Sequence, residues 1–344
     1  MKRTNTYKIL VISFSIFLST VIFNEFAIYY LVQLKCDWPK LSENHPYKDP
    51  VKALIITDTH LLGRKTSVWA DQVLRNWQMT RAFQTAITLH KPEIVFILGD
   101  LLNEGLWSNE KQLKEYHEQF SNIFSVPNST TTFVIAGNHD IGFHYEIFKS
   151  REQTFSSLFD TDSVKLITIK DVHFVLINSI AMEMDNCYLC NKTEALIEQI
   201  SDLMKCWNKT GECFNVKNYQ QYSRPVLIQH FPLYRLNEEL CFEWDSATGP
   251  DRTTVMKEKY DCLSKNASNY LYNALSFREA WSGHTHYGCI YKHSFDSEVL
   301  EYTVASFNYR NRNDPNYILA YFTPESTFIY KCAMPTQNKT LSKS

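Results

Sequence analysis

Five short motifs, in fixed order along the chain, carry the side-chain types that a pair of divalent cations requires: Asp58-Thr59-His60, Gly99-Asp100, Gly137-Asn138-His139-Asp140, the isolated His230, and Gly283-His284-Thr285-His286. Asp58 and His60 are alternate residues and can face one ion. Asp100 is the natural bridge, because a carboxylate offers one oxygen to each of two ions. Asn138 supplies a neutral carbonyl oxygen. His230, His284 and His286 complete the set, and the one-residue gap in His284-Thr285-His286 lets that pair divide between the ions. A lone Asp-x-His is ordinarily a turn, and Gly-Asp at a strand end is common. Their ordered co-occurrence is what carries the reading: two ions about 3.5–4 Å apart that grip a phosphate and bring the pKa of a shared water toward neutrality.

His139 follows the ligand Asn138 and is expected to act on the phosphoryl group rather than as a ligand, stabilising charge or protonating the leaving oxygen. Asp140 is expected to orient its imidazole, the competing role being a carboxylate that caps the turn. His144 is expected to be structural. Phe143, Tyr145, Phe231 and Tyr234 flank the ligands and either stack on a substrate or belong to the core.

The motifs need rigid supports, and each follows a short apolar run. Ala53–Thr57 leads to Asp58, Ile94–Leu98 to Gly99-Asp100, Phe133–Ala136 to Gly137, Val226–Gln229 to His230, and Ala280–Ser282 to Gly283. Ligands just beyond strand ends are the habit of α/β sheets. Phe83, Ala86 and Ile87 have helical spacing, and Glu110–Ile123 and Thr193–Trp207 also read as helices. Further strands are expected at Val172–Asn178, Val299–Val304 and Ile318–Thr323. Cys187–Tyr222 reads as a surface insertion, and Tyr234–Asn269 as an irregular segment overhanging the site. The pattern predicts one α/β domain over residues 51–332 rather than two.

The chain has 344 residues, 44% of them hydrophobic, and a formal net charge of −2, which gives no support to a nucleic-acid binder. Residues 7–34 are apolar enough to cross a bilayer, with Lys2, Arg3 and Lys8 on the cytosolic side. The expected plan is a cytosolic tail (1–6), a signal anchor (7–34), a linker (35–50), the catalytic domain and a tail (333–344). A cleaved signal peptide is the competing reading. Glu25 is costly in lipid unless it finds a partner. Sequons at Asn128, Asn191, Asn208, Asn266 and Asn338, together with nine cysteines, indicate an oxidising, lumenal compartment. Cys187-x-x-Cys190 fits a zinc or redox pair, but the absence of a second such motif favours a structural disulfide; the eight cysteines beyond Cys36 allow 105 pairings.

At these residues the chain resembles the calcineurin-like metallophosphoesterases, across about Lys52–Asn308. Asn103 stands three residues after Asp100, where purple acid phosphatases place a tyrosine, and the arginine of protein phosphatases is missing. Asn103-Glu104-Gly105-x-Trp107-Ser108, Gly137–Tyr145, Gln229–Arg235 and Glu25–Tyr30 instead look like the membrane-anchored phosphodiesterases that remodel GPI anchors. The resemblance implies a four-layer α/β/β/α sandwich with a dimetal site at strand ends. By position, Asp58, His60, Asp100 and His286 would hold one ion, and Asp100, Asn138, His230 and His284 the other, with manganese as the implied metal. It further implies removal of the ethanolamine-phosphate branch from the second mannose of GPI anchors. That trimming promotes ER-to-Golgi transport of GPI-anchored proteins, so the implied partners are that cargo, its transport machinery and a membrane. The implied address is a type II membrane protein of ER exit sites, the ER–Golgi intermediate compartment and the Golgi. A general lumenal phosphodiesterase acting on nucleotides or lipid head groups, and an inactive cargo-binding fold, are the other readings. Related proteins carry a second span and a retrieval tail; Ala305–Ser344 contains no apolar run near span length, and the Asn338 sequon expects this end in the lumen.

Overall fold

The computed structural model describes residues 2–42, 46–213 and 219–336, with side chains from residue 7. The Asn338 sequon and most of the expected tail lie outside the described residues. In chain order the helices are α1 (Lys2–Ile22), α2 (Ile28–Gln33), α3 (Trp69–His90), α4 (Glu110–Ile123), α5 (Asn138–Ile141), α6 (Lys149–Phe159), α7 (Tyr188–Trp207), α8 (Pro250–Thr253) and α9 (Lys265–Leu275). The strands are β1 (Val51–Ile56), β2 (Ile94–Ile97), β3 (Thr131–Val134), β4 (Val164–Ile169), β5 (Val172–Ile177), β6 (Val226–Ile228), β7 (Glu279–Ser282), β8 (Cys289–Ser294), β9 (Glu298–Thr303), β10 (Asn316–Phe322) and β11 (Thr327–Ala333).

The strands form two sheets, ordered β11-β10-β1-β2-β3 and β4-β5-β6-β7-β9-β8. Alternation along the strands sorts their side chains into layers. From β1, Val51, Ala53 and Ile55 join Phe96, Phe174, Ile228, Trp281 and Phe322 in the core between the sheets. Leu54 and Ile56 point the other way, into a core shared with Phe83, Ala86 and Phe120 of α3 and α4, which also extends to Ile197 and Leu271 of α7 and α9. This is the expected α/β/β/α sandwich. Strands buried on both faces read as continuous apolar runs, which is why β1, β2, β5 and β6 are legible in the sequence. The half-exposed β4, β8 and β11 alternate with polar residues and escape that reading.

β1, β2 and β3 are parallel and joined through α3 and α4; β5, β6 and β7 are parallel in the second sheet. The ligand motifs therefore emerge at one end of each parallel set. Glu110 opens α4 as expected, because Asn109 and Gln112 form a reciprocal capping box. The Cys187–Tyr222 insertion contains a helix with a buried face (Leu189, Ile197, Met204) and so belongs in part to the body of the domain.

One helical run, Tyr7–Gln33, is long and apolar enough to cross a membrane. It makes a π-helical turn at Phe23–Ala27. Its last turns are not free: Tyr29 and Gln33 are buried, and Gln33 donates to Ala82 O and accepts from Tyr317 Oη. Glu25 has its partner, accepting from Trp77 Nε1 at 2.6 Å. Cys36 is joined to Cys332, and Trp38 stacks on Tyr321, so the start of the expected linker is seated on the domain. The other disulfides are Cys187–Cys190, Cys206–Cys213 and Cys241–Cys289, with Cys262 free and buried. The eight cysteines beyond Cys36 thus do not pair solely among themselves. Asn128, Asn191, Asn208 and Asn266 are all exposed.

Candidate metal centre

The seven expected ligands converge. His60 Nε2 lies 3.1 Å from His286 Nε2, 3.6 Å from Asp58 Oδ1 and 3.5 Å from Asp100 Oδ2. His230 Nε2 lies 3.4 Å from Asp100 Oδ2 and 3.2 Å from Asn138 Oδ1. Asp58, His60 and His286 form one group, Asp100, His230 and His284 another, and His60, Asp100 and His139 a third that links them. Donors held about 2.1 Å from one ion stand roughly 3.0–3.4 Å from each other, so these spacings resemble edges of coordination polyhedra. Asp58 Oδ1, His60 Nδ1 and His284 Nδ1 are buried without a hydrogen-bond partner. A buried carboxylate oxygen with no donor is expensive unless a cation satisfies it, and the residues present fit two divalent ions.

The backbone bends to make this possible. Asp58, His60, Asp100, His284 and His286 all have φ between 40° and 71°. Non-glycine residues in that region are strained, and five ligands sharing it mark a site that the surrounding fold holds in place. Ser306 Oγ donates to Asp58 O and Asn308 Nδ2 to Thr59 O, gripping the first motif's main chain. Gly137 admits the bridging carboxylate, since a Cβ there would land on Asp100 Oδ1.

The remaining ligand atoms are aimed by their neighbours. His139 N donates to Asp100 Oδ1 at 2.8 Å, and His284 N to Asp58 Oδ2 at 3.0 Å. The second nitrogen of His230 meets Leu98 O at 2.7 Å, and that of His284 meets Tyr260 O at 2.8 Å, which sets each ring's tautomer. Buried Arg235 bonds Glu301, Thr303 and Glu238, and Glu301 also accepts from Leu233 N and Ser282 Oγ. That network joins the chain after His230 to the strand before Gly283.

Burial opposes ionisation of Asp58 and Asp100, but the imidazoles around them prevail. Asp58 is lowered through His60, His286 and His230, and Asp100 is held well below its ordinary range by His230 and His60. Burial likewise opposes charge on His230, yet Asp100 raises it to about 9. Burial pushes His284 down to about 3 and His286 to about 4. Burial opposes charge on His60 too, but Asp58 and Asp100 raise it. Ionised carboxylates and neutral imidazoles are the forms that bind metal, so the protons that the carboxylates favour on His230 and His60 have to leave when ions enter.

His139 lines the cleft, half-buried, with its ring edge-on to His60 at 4.6 Å. Its Nδ1 lies 3.2 Å from Asn103 O. The expected Asp140 orienter is thereby corrected. Asp140 is fully buried and its carboxylate accepts from Gly137 N, Leu102 N and Leu101 N, closing the turn of α5 over the Gly99–Leu102 loop. Backbone donors close at hand outcompeted the neighbouring imidazole. His144 pairs with Asp185, a structural role.

Above the ligands lies a cleft of about 400 Å³; of the segment Tyr234–Asn269 expected to overhang it, the part from Glu238 to Asp261 does so, whereas Lys265–Asn269 opens α9. Its walls include Phe143, Tyr260, Tyr287, Glu238, Asp251 and Asp261, and neither lysine nor arginine is among its lining residues. Of the four aromatic candidates, Phe231 is core, Tyr145 is exposed, Tyr234 is half-buried away from the cleft lining, and Phe143 stacks on Tyr260 at 4.7 Å. Tyr260, Asp251 and Asp261 went unread in the sequence because an irregular loop carries no periodic signal.

Ligand set and sandwich together define a dimetal phosphoesterase. Residues 51–319 match the calcineurin-like phosphoesterase family, and the chain belongs to it. Metallophosphoesterase 1 of Danio rerio is 40% identical over 329 residues, covering 94% of this chain and 85% of that protein. The Drosophila melanogaster Metallophosphoesterase 1 homolog is 39% identical, over 94% and 86% of the two chains. A dimetal phosphatase from Danio rerio of solved structure aligns with a TM-score of 0.47 and 14% identity, over 83% of this chain and all of that one. When bound, two divalent ions supply positive charge to phosphoryl oxygens and acidify a water nucleophile. Asp58, His60, Asp100, Asn138, His230, His284 and His286 would hold the ions, and His139 faces the cleft where a leaving oxygen would need a proton.

Proposed function

We propose that this enzyme is a membrane-anchored phosphodiesterase that removes the ethanolamine-phosphate branch from the second mannose of GPI anchors. In this reading it works with manganese in the lumen of the ER–Golgi system and licenses GPI-anchored cargo for export. The observation that carries it is the cleft wall. Among the described residues Asp251 and Asp261 form no ion pair with a lysine or arginine; Phe143 and Tyr260 stack beside them, and Lys257 Nζ lies 5.1 Å from the centre of the Tyr260 ring, so this wall can hold an ammonium. An acidic and aromatic wall suits an ammonium group, which gains from both carboxylates and ring faces. A nucleotide polyphosphate would meet repulsion there, which disfavours the nucleotide alternative. A full ligand set argues against an inactive cargo-binding fold. The disulfides support a lumenal domain, and burial of Tyr29 and Gln33 against the domain supports a helix that is retained.

The test is a gene deletion complemented with wild type or Asp100→Asn, followed by mass spectrometry of GPI glycans. Ethanolamine phosphate retained on the second mannose, and cleared by wild type alone, is the expected outcome. An unchanged glycan would eliminate this substrate, and equal rescue by Asp100→Asn would favour a binding module. Chelation should abolish hydrolysis and manganese restore it.

A further inference from the structure

The anchor meets the domain in a direction that fixes which way the metal cleft faces. Side chains from Tyr7 to Phe23 are exposed, and contact with the domain begins at Asn24. Those 17 residues, at about 1.5 Å each, span only about 25 Å, less than the roughly 30 Å of a bilayer's apolar core. A membrane crossed by α1 must therefore reach the surface of the domain itself.

From there α2 runs alongside α3 in the same sense. Asn24, Glu25 and Ile28 lie by Leu74 and Gln78, Glu25 and Phe26 touch Trp77, and Gln33 reaches Ala82. Trp38 then meets His90 at the end of α3. The N-terminus of α3 accordingly points back toward the membrane. It is also the ligand end: Ser67 Oγ and Gln72 Nε2 both donate to Gly63 O, three residues past His60. At its other end, His90 precedes Ile94, which pairs with Ala53 near the start of β1. Val68 and Trp69 are 71% and 76% exposed, with Val73 and Leu74 also exposed behind them. Trp69 lies eight residues before Trp77, about 12 Å further along α3 toward the lipid.

We propose that Val68, Trp69, Val73 and Leu74 form a second lipid contact in the membrane that α1 crosses, seating the ligand end of the sandwich against the headgroup layer. The contact is continuous with the anchor, and tryptophan is the side chain that favours the headgroup boundary. Exposed Arg64 and Lys65 on the preceding loop complement lipid phosphates. The cleft then opens onto phosphoesters carried by that same leaflet. This inference rests on reading α1 as a membrane anchor and deepens the proposed function by requiring a substrate presented from the membrane.

Its test needs no substrate, so failure of the GPI reading leaves it standing. The full chain, with Cys262→Ser, is placed in phosphatidylcholine nanodiscs carrying a fluorescent NBD label at Trp69→Cys, Val73→Cys or, as control, Asp202→Cys on the far end of α7. Lipid-borne nitroxide should remove roughly half or more of the emission at 69 and 73 and leave 202 unchanged. Labels at 69 and 73 quenched no more than at 202 would overturn the proposal. A donor at Thr254→Cys on the cleft rim should transfer energy to headgroup-attached acceptor more efficiently than one at 202; the reverse order would overturn the orientation.

Discussion

The two halves of the metal centre are built by different means. Asp58, His60, Asp100 and Asn138 follow three adjacent parallel strands, and the two carboxylates are steered by main-chain amides at His139 and His284. His230, His284 and His286 come from the second sheet, and the rings of His230 and His284 are steered by main-chain carbonyls at Leu98 and Tyr260. The first half supplies the negative charge that captures cations. The second supplies imidazole donors, and one of them, His284, depends for its geometry on an irregular overhang through Tyr260 O. That overhang is held by the Cys241–Cys289 disulfide and by buried Arg235. Charge capture thus rests on main-chain amides at the two strand ends, whereas placement of the His284 ring reaches out to the overhang.

The largest effect should separate charge from geometry. Asp100→Asn removes the shared carboxylate and is expected to lower kcat/KM by about 10³ or more, with loss of bound metal measured by elemental analysis. His230→Ala should cost nearer 10² and be partly recovered by added metal, as a lost neutral donor would be. Equal, unrecoverable losses would break the distinction.

Next, Cys241→Ser with Cys289→Ser is expected to cost roughly 3 kcal/mol in denaturant unfolding. It should reduce metal affinity as well, since the rim that orients His284 is loosened. Cys206→Ser with Cys213→Ser, at the end of α7, should lower stability without touching metal affinity.

His139→Asn should lower kcat by about 10² while metal content stays full, if its imidazole serves the phosphoryl group from the cleft wall rather than an ion. A variant that loses metal would make His139 a ligand. The smallest effect is expected of Asp251→Asn with Asp261→Asn. Activity on an amine-bearing phosphodiester should show KM raised by several-fold, about 1 kcal/mol, with a neutral diester unaffected.

The contrast between the halves also explains what was legible. The seven ligands could be read because each follows an apolar strand and because dimetal chemistry restricts residue type. The strands of the inner sheets were visible as uninterrupted apolar runs, while β4, β8 and β11 were hidden by their exposed faces. The Asp140 role was misjudged because adjacency in sequence stood in for contact: His139 and Asp140 leave α5 in different directions, one into the cleft and one beneath it. The acidic rim was invisible, since nothing local relates Asp251 to Asp58.

Taken alone, the sequence singled out the candidate ligands, their order and their placement after strands. These follow from hydrophobic periodicity and metal chemistry, both of which act over a few residues. Only the tertiary structure decided that Asn103 O orients His139, that Cys36 closes onto Cys332, and that Glu25 finds Trp77. It alone decided that the end of the apolar N-terminal helix runs parallel to α3, whose own N-terminus stands at the ligand end of the sandwich. Each of these is a meeting of residues far apart along the chain, selected by packing and by the need to satisfy buried polar groups, which no local pattern records.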